Sequence, residues 1–274
     1  MSTPRAFTLS KEIFNPSLYK LVQSTWFGGL PEGARAPTME VAKKWWGNGV
    51  PPEEKAAFDT ICRSNFLSAL ESIGPEKYPL SQVPSSAIAE PFLREISEQS
   101  PQDEGAESAS ESASTALSLI LILDQMPRNI LRTPSTLPLV YNHYDTIATA
   151  VMASLLSPNS TMPRLDKHPL YRLSSAHRFW FYMPHMHSES RELHKQLAGV
   201  LDEFRSELVE AGAECEASLG YFDRAANFEK IHAKIIERFG RYPYRNEVLG
   251  RESTEEEAKY LADGGETFGV GKKG

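Results

Sequence analysis

The stretch SESRELHKQLAGVLDEFRSELVEAG, residues 188–212, is the clearest indication of fold class in the sequence. Its apolar side chains recur every three or four residues, which places them on one face of an α-helix. They are Leu193, Leu197, Val200, Leu201, Phe204 and Leu208. Ser188 is a residue type that caps helix N-termini, and Gly212 is one that ends helices. The stretch therefore predicts an amphipathic helix whose apolar face is buried against other helices.

The same capping and terminating residues divide the rest of the chain into helices. Further helices are predicted to begin at or just after Asn15, Thr38, Pro51, Thr115, Ser135, Leu219 and Ser253. Proline is predicted to end two helices, at Pro127 and Pro184, and Ser253 with Glu256 has the spacing of a capping box. No alternating strand pattern of useful length is found. The predicted fold is all-α, with antiparallel helices packed in pairs.

The 274 residues are predicted to form a single helical domain. Residues 1–14 are expected to be a flexible N-terminus. Residues 75–114 are rich in Pro, Ser and Glu with little to bury, so they are predicted to be a disordered insertion. Either a plain solvated loop or a regulatory or partner-binding segment is compatible with that composition.

Composition also argues against several functions and locations. A formal net charge of −7 with no basic tract argues against a nucleic-acid-binding protein. The most apolar run, Leu117–Leu123, is far shorter than the roughly 20 residues that span a bilayer, so no membrane association is expected. Cys62 and Cys215 have no metal-ligand or redox spacing, and nothing marks the N-terminus for secretion. The expected location is the cytoplasm.

Asp124 is the first candidate site residue because it directly follows the apolar run. A carboxylate at the negative end of a helix is unfavourable unless a cation lies beside it. Arg128, which is followed by Asn129, or one of the arginines after Phe239 could supply that cation. A buried ion pair and a ligand site both remain open.

Two histidines and a glutamate follow Pro184 in the series His185, His187 and Glu189. They lack the helical spacing of the zinc proteases, so no metal is predicted. The better functional interpretation is a His187 ring held in one tautomer by a carboxylate, with Glu189 or Asp124 orienting it for proton transfer. His232 lies on the apolar stripe of its helix, which indicates either a satisfied core histidine or a second proton-transfer group.

The segment Arg238–Asn246 is the richest in polar groups. Gly240 ends the preceding helix and Pro243 cannot continue it, so a tight loop is predicted to splay three arginines. They are Arg238, Arg241 and Arg245, followed by Asn246. Guanidinium groups suit bidentate capture of carboxylates. Those carboxylates could belong to the protein, forming an internal salt-bridge hub, or to a ligand in an anion-binding pocket.

Taken in order, these motifs resemble a family catalogued as domain of unknown function 924. The resemblance runs from about residue 26 to residue 268, and no single motif in it is specific alone. The motifs are Asp124-Gln125, Pro127-Arg128-Asn129, Tyr182-Met183-Pro184, His187-Ser188-Glu189, His232, Arg238-Phe239-Gly240-Arg241, Pro243, Arg245-Asn246, Leu249-Gly250-Arg251, Ser253-Thr254 and Glu256-Glu257.

The resemblance implies an all-helical, tetratricopeptide-like right-handed array and no established reaction. This chain departs from the family pattern at three places. Tyr244 stands where a histidine is usual, Met126 replaces an aromatic residue, and His185-Met186 replaces a Leu-Glu pair.

Two functions of different class follow. In the first, the chain is a small-molecule enzyme or binding protein. Its pocket holds an anionic metabolite for acid–base chemistry without a nucleotide cofactor, since no phosphate-binding glycine loop is present. His187, Glu189, His232 and Asp124 would be catalytic, and Arg128, Asn129, Arg238, Arg241, Arg245 and Asn246 would bind the substrate. In the second, the chain is a helical interaction scaffold for a peptide or protein, and the arginine cluster is structural.

Overall fold

The computed structural model describes residues 7–47, 49–98 and 106–269, with side chains from residue 110 onward in the third range. All regular structure in these ranges is helical, with no β-strand among them, which confirms the all-α fold class. The α-helices are α1 (Pro16–Phe27), α2 (Met39–Trp46), α3 (Pro52–Ser72), α4 (Glu90–Glu98), α5 (Ala106–Ile120), α6 (Met126–Ile130), α7 (Leu137–Leu139), α8 (Asp145–Leu156), α9 (Ser175–Met186), α10 (Arg191–Ala211), α11 (Glu216–Phe239) and α12 (Glu255–Ala262).

Helix α9 lies at the centre of the core, since all of its residues are buried. It packs against α5, α8, α10 and α11. The turn Gly212–Cys215 joins α10 to α11 and is too short for anything but an antiparallel pair. Leu197 and Phe204 of α10 are completely buried, as the apolar stripe predicts. The tetratricopeptide-like arrangement of the helix pairs stays a prediction.

Two wide π-helical turns interrupt the helices that carry site residues. Leu121–Gln125 joins α5 to α6, and Val140–Tyr144 joins α7 to α8. Pro127 therefore does not end the helix as predicted. It directly follows Met126 at the end of the π-helical turn, where the regular i to i−4 hydrogen-bond ladder is already interrupted, so the missing amide hydrogen of proline is tolerated. Asp124 is consequently inside a continuous helical segment that runs to Ile130, and not at a helix end.

The connection between α9 and α10 also differs from prediction. Helix α9 continues through Pro184 to Met186. Ser188 does not cap α10, because its hydroxyl donates to the His185 carbonyl at 2.9 Å, and Ser190 is the cap instead. Residues 187–190 are thus a short non-helical connection, and the side chains it carries are not constrained to a helix face.

Much of the segment predicted to be a disordered insertion is ordered. Within residues 75–98 the chain forms the turns Leu80–Gln82 and Ser85–Ala87 and then α4, whose Phe92 and Ile96 side chains are completely buried. Residues 110–114 belong to α5. The prediction was wrong there because a few apolar residues at helical spacing suffice to bury one face of a short helix. Residues 99–105 lie outside the described ranges.

The N-terminal expectation needs a similar correction. Residues 1–6 are outside the described ranges, but Leu9 and Phe14 are buried and Phe7 stacks on Tyr78 with ring centroids 4.4 Å apart. Residues 7–14 are therefore packed against the domain and are not a flexible tail. No helix in the described ranges is long and apolar enough to cross a membrane.

The C-terminal part of the chain begins with the predicted terminator. Gly240 has a φ of 71°, a left-handed conformation, and it closes α11. Pro243–Arg245 then forms a single 3-10 turn. The capping box of α12 is one residue later than predicted, since it consists of Thr254 and Glu257. These elements direct the side chains of the segment Arg238–Asn246 to different places.

Candidate active site

An open cleft of about 430 Å³ lies between α8, the α9–α10 connection and the chain after α11. Its volume falls within the range typical of small-molecule sites, roughly 300–1,000 Å³. The polar and charged residues that line it include Tyr141, Asp145, Thr146, Thr149, His187, Glu189, Arg245 and Arg251. Its apolar lining residues include Ile88, Ala150, Ala153, Leu193 and Leu249.

A buried carboxylate–histidine pair stands at the wall of this cleft. Asp124 is completely buried, and its Oδ1 atom lies 2.8 Å from Nδ1 of His187. The other carboxylate oxygen accepts a hydrogen bond from the Gln125 amide at 2.5 Å. The His187 side chain is 13% exposed and lines the cleft, so the pair connects the core to the site.

Electrostatics fix the protonation of this pair. Burial alone would raise the pKa of Asp124, but Arg128 and the His187 hydrogen bond hold it below its usual value, so the group is a carboxylate. Burial, aided by the Arg128 charge, lowers the pKa of His187 in spite of Asp124. At neutral pH the ring is therefore neutral. Its Nδ1–H donates to the carboxylate, and Nε2 carries the lone pair.

Nε2 of His187 has no hydrogen-bond partner among the described residues. A neutral imidazole with one nitrogen held by a buried carboxylate and the other free is the arrangement of a general base. The free nitrogen belongs to a side chain that reaches the cleft. The pair can therefore remove a proton from a bound molecule.

Asp145 and two arginines form a second layer around the pair. Arg128 binds Asp145 in a bidentate manner, at 2.6 and 2.9 Å, and its Nη1 also donates to the Asp124 carbonyl at 2.7 Å. Nη1 of Arg245 lies 3.9 Å from the same Asp145 carboxylate. Both oxygens of Asp145 are thus taken by Arg128, and Arg245 is left with the weaker contact.

Arg245 is buried, with 4% of its side chain exposed, and neighbouring groups fix its orientation. Its Nη2 donates to the His187 carbonyl at 3.0 Å, and its Nε donates to the Tyr244 hydroxyl at 3.2 Å. The guanidinium carbon lies 4.4 Å from the Tyr141 ring centre and 4.5 Å from that of Tyr242. Nη1 makes no hydrogen bond within the described residues, so a donor pair is available to a ligand.

Glu189 has a different place from the one expected. It does not orient His187, since Arg251 binds it in a bidentate manner at 2.6 and 3.0 Å and the Tyr242 amide donates to it at 2.9 Å. Burial would raise its pKa, but these donors hold the pKa below the usual value. Glu189 is thus a charged, fully engaged residue at the cleft wall. Glu189 takes this position because it lies in the non-helical connection between α9 and α10.

His232 is buried on its helix as the apolar stripe predicts, with 6% of its surface exposed. Its Nδ1–H donates to the Phe228 carbonyl at 2.7 Å, and its ring stacks on Phe268 with centroids 3.8 Å apart. Burial and the neighbouring His187 lower its pKa to about 3. Its ring centre lies 6.2 Å from that of His187, and His232 does not line the cleft. It therefore supports the wall behind His187.

Several predicted substrate-binding residues point away from the cleft. Arg241 binds Glu257 of α12 at 2.6 and 2.7 Å, and Arg238 pairs with Glu256 at the surface. The Asn246 amide donates to Glu257 and to Ser253. Through these contacts Arg238, Arg241 and Asn246 attach α12 and the residues before it to the end of α11 and the loop that follows. None of the three lines this cleft, and Arg238 lines a smaller pocket of about 270 Å³ beside Lys259 and Tyr260, so their binding of a ligand stays a prediction.

The side chain of Asn129 bonds to other protein groups and does not line the cleft. Its amide donates to the Gln125 carbonyl one turn earlier at 2.9 Å, and its oxygen accepts from Arg132. Both contacts belong to the α6 surface. Of the ten predicted site residues, the structure brings together Asp124, Arg128, His187 and Arg245 around one point.

Two residues that complete the site were not among the candidates. Asp145 and Arg251 both line the cleft; Asp145 engages Arg128 and Arg245, and Arg251 engages Glu189. Arg251 was signalled by its place in the family motif Leu249-Gly250-Arg251. Asp145 was signalled only by being a carboxylate on a helix of otherwise apolar character, with 6% of its surface exposed. Among the described residues, no group of three or more His, Cys, Asp or Glu side chains is arranged to hold a metal ion.

Comparison with known proteins gives a family and one related structure. A family model described as "Bacterial protein of unknown function (DUF924)" matches residues 22–265. A solved structure of a protein of unknown function from Agrobacterium tumefaciens shares 24% sequence identity, with a TM-score of 0.42, over 82% of this chain and 96% of that one. No curated protein matches the chain.

Proposed function

We propose a function for this chain, which belongs to the family described as bacterial protein of unknown function (DUF924). We infer that it is a small-molecule enzyme of the cytoplasm that binds an anionic metabolite and performs acid–base chemistry on it without a nucleotide cofactor. The observation that carries the proposal is the buried Asp124–His187 pair, 2.8 Å apart, whose histidine lines the same cleft as Arg245.

Substrate binding is assigned to Arg245. The two cleft carboxylates are already paired, Asp145 with Arg128 and Glu189 with Arg251. Arg245 retains an Nη1 group with no hydrogen bond within the described residues. A substrate anion that binds there replaces water and is held by a guanidinium whose orientation is fixed by two tyrosine rings.

The chemical step is assigned to His187. Its Nε2 takes a proton from the substrate, or from a water molecule that attacks it, and the resulting imidazolium is stabilised by the Asp124 carboxylate. Groups of this kind accelerate reactions by about 10²–10⁴-fold. Because the pKa of His187 is lowered, the ring is in its basic form throughout the neutral range. The reaction class is a hydrolysis or an isomerisation that begins with proton transfer.

The competing hypothesis is a helical scaffold that binds a peptide, with the arginines in a structural role. The pairs of Arg238 and Arg241 with α12 support the structural role for those two residues. They say nothing of Arg245, which makes no ion pair with α12 in the described residues and lines the cleft beside Asp145. The proposal and the scaffold hypothesis therefore differ in what Arg245 and His187 do.

A screen followed by a turnover assay tests the proposal. Wild-type protein is screened by thermal shift against small carboxylates and phosphate esters, and each stabilising compound is incubated with the protein and followed by NMR. We expect His187→Gln to keep the thermal shift and to lose turnover by about 10²–10⁴-fold. We expect Arg245→Met to lose the thermal shift. His168→Gln, which changes a histidine outside the cleft, is the matched control.

Two outcomes would overturn the proposal. If no binder is converted by wild-type protein, the site is a binding site and not an active site. If short peptides stabilise wild-type and His187→Gln protein alike while no metabolite does, the scaffold hypothesis is correct. The unfolding transition of each variant must be measured without ligand, because a fold that collapses also abolishes binding.

A further inference from the structure

One wall of the cleft is a single face of α8. The residues it contributes are Asp145, Thr146, Thr149, Ala150 and Ala153. Their spacing is that of neighbouring positions on a helix surface. With a rise of 1.5 Å per residue, Asp145 and Ala153 are about 12 Å apart along the helix axis. The cleft is therefore elongated, and α8 sets its long direction.

The charged lining residues gather at the Asp145 end of this direction. Arg245 lies 3.9 Å from Asp145 and donates to the His187 carbonyl at 3.0 Å. Glu189 binds Arg251, and the charge of Arg245 is close enough to contribute to the lowered pKa of Glu189. This set of contacts links the five lining residues Asp145, His187, Glu189, Arg245 and Arg251 into one group. The other end of the α8 wall has no such group.

The Ala153 end is apolar and has room. Ala150 and Ala153 are half-buried, with no polar atoms in their side chains, and Ile88 joins them in the lining. Ile88 lies two residues before the start of α4, which packs against α8. Alanines at these positions leave space that a larger side chain would fill. The cleft therefore combines a charged end with an apolar surface of small side chains.

We propose that this cleft binds a straight-chain carboxylic acid of about eight carbons, with its carboxylate on Arg245 and its chain along α8 towards Ala153. Its seven carbon–carbon bonds advance about 1.25 Å each in a zigzag, about 9 Å in all, and the carboxylate oxygens and the van der Waals radius of the terminal methyl group extend this towards the roughly 12 Å between the two ends. The inference deepens the proposed function and rests on its anion site. It adds the class of substrate.

The charges of the site favour a single negative charge on the ligand. The free Nη1 group of Arg245 is flanked by the carboxylates of Asp145 and Glu189, which would repel a second negative charge. Both of these carboxylates are fully paired, so neither is available to bind an ammonium group. A monocarboxylate fits these conditions better than a phosphate dianion or a zwitterion.

Calorimetry on the wild-type protein with three probes tests the inference without any substitution. The probes are butyrate, octanoate and octanamide. A fully buried methylene contributes about fourfold in affinity, and a half-exposed one about twofold. Octanoate is therefore expected to bind at least about 16-fold more tightly than butyrate, since it has four more methylenes. Octanamide, which has the same chain and no charge, is expected to bind at least tenfold more weakly than octanoate.

A pair of variants locates the chain. Ala153→Phe fills the apolar end and is expected to weaken octanoate binding at least tenfold while leaving butyrate binding unchanged. Ala153→Ser keeps the space open and serves as the matched control, with octanoate binding within about twofold of wild type. Position 153 is half-buried on the helix surface, so both side chains can be accommodated without entering the core.

The outcomes separate this inference from the proposed function. Equal affinity for butyrate and octanoate would show that the hydrocarbon chain does not bind along α8, and the anion site at Arg245 would stand. Equal affinity for octanoate and octanamide would show that no anion site exists, and both proposals would fall. If none of the three probes binds while another anion stabilises the protein, the substrate class is wrong and the proposed function stands.

Discussion

Two buried charge clusters lie at opposite ends of α9, and they differ in what surrounds them. Near its start, Arg178 is completely buried and donates to Tyr182 and Glu207, while the Tyr182 hydroxyl donates to Asp166. The Arg178 guanidinium also packs on the Phe204 ring at 4.1 Å. Just beyond its end lies the cluster of Asp124 and His187 beside the cleft.

A structural cluster differs from a candidate active site in whether its atoms without hydrogen bonds belong to side chains that line a cleft. In the first cluster, Nη2 of Arg178 has no hydrogen bond in the described part of the chain, but it is buried 3.6 Å from the Asp166 carboxylate, and the two side chains are 0% and 2% exposed. In the second, Nε2 of His187 and Nη1 of Arg245 lack hydrogen bonds among the described residues and belong to cleft-lining side chains. Burial of charge alone therefore does not mark a site, whereas an unpaired polar atom at a cleft does.

The largest effect on stability is expected in the enclosed cluster. Arg178→Met removes the cation between Glu207 and the Tyr182–Asp166 pair. Lys167 and Arg164 still neutralise the two carboxylates, but the buried Tyr182 hydroxyl loses its donor and the charge network loses its central member, so we expect a cost of about 3 kcal/mol. We expect urea denaturation to show this loss with no change in ligand affinity of the folded protein. Arg172→Met is the matched control, because Arg172 contacts the same Glu207 from an exposed position and its loss should cost less than about 1 kcal/mol.

An intermediate effect is expected at the Asp124–His187 pair. Asp124→Asn removes the charge that holds the Nδ1–H tautomer and should cost about 2 kcal/mol in unfolding free energy, since a buried hydrogen-bonded charge is lost. Histidine ¹⁵N chemical shifts should show the Nδ1–H tautomer of His187 in wild type and a mixture in the variant. An unchanged tautomer in the variant would mean that Asp124 does not orient the His187 ring. The Asp124–His187 pair would then be a structural contact, like those of Arg178.

The His232 ring beside the second cluster and the Asp166 carboxylate of the first should also differ in their response to pH. The pKa of His232 is lowered from 6.5 to about 3 in the folded protein, so the unfolded chain takes up a proton below pH 6.5 and the folded protein does not. Stability is thus lost as pH falls from 7 to 5, by roughly 2 kcal/mol from this residue. The pKa of Asp166 is lowered from 3.8, so its contribution is present above that pH and disappears only below it.

Urea denaturation at pH 7 and pH 5 checks this difference. His232→Phe keeps the stacking on Phe268 and removes the titrating group, so its loss of stability between the two pH values should be smaller than that of wild type. The other histidines with lowered pKa values, including His177 and His185, still contribute to the loss in both proteins. An equal loss in the two proteins would show that His232 is not held neutral by burial.

The fold could be predicted where the helical period is sustained. The stripe of α10 and the terminator Gly240 follow from local rules, and both agree with the structure. The ordered part of residues 75–98 could not be predicted in the same way. Phe92 and Ile96 of α4 are buried because α5 and α8 cover them, and that contact is not visible in a Ser- and Glu-rich segment.

The candidate site could be predicted only in part. Asp124 and His187 are 63 residues apart, and their meeting depends on the π-helical turn at Leu121–Gln125 and on the non-helical connection after α9. Neither feature has a sequence signal that local rules would recognise. The segment Arg238–Asn246 was recognised as polar. The directions of Arg238 and Arg241, however, depend on α12, which binds both of them.

The smallest effect is therefore expected at an arginine that the sequence placed in the site and the structure places outside it. Arg238 and Glu256 form an exposed pair, at 51% and 61% exposure, and the guanidinium lies 4.6 Å from the Phe239 ring centre, so Arg238→Ala should change unfolding free energy by less than about 1 kcal/mol. It should also leave the thermal shift by octanoate unchanged. Arg241→Ala, which unpairs the buried Glu257, should cost more, about 1–3 kcal/mol. If Arg238→Ala instead abolished ligand stabilisation, the binding site would lie at α12 and the cleft beside His187 would be structural.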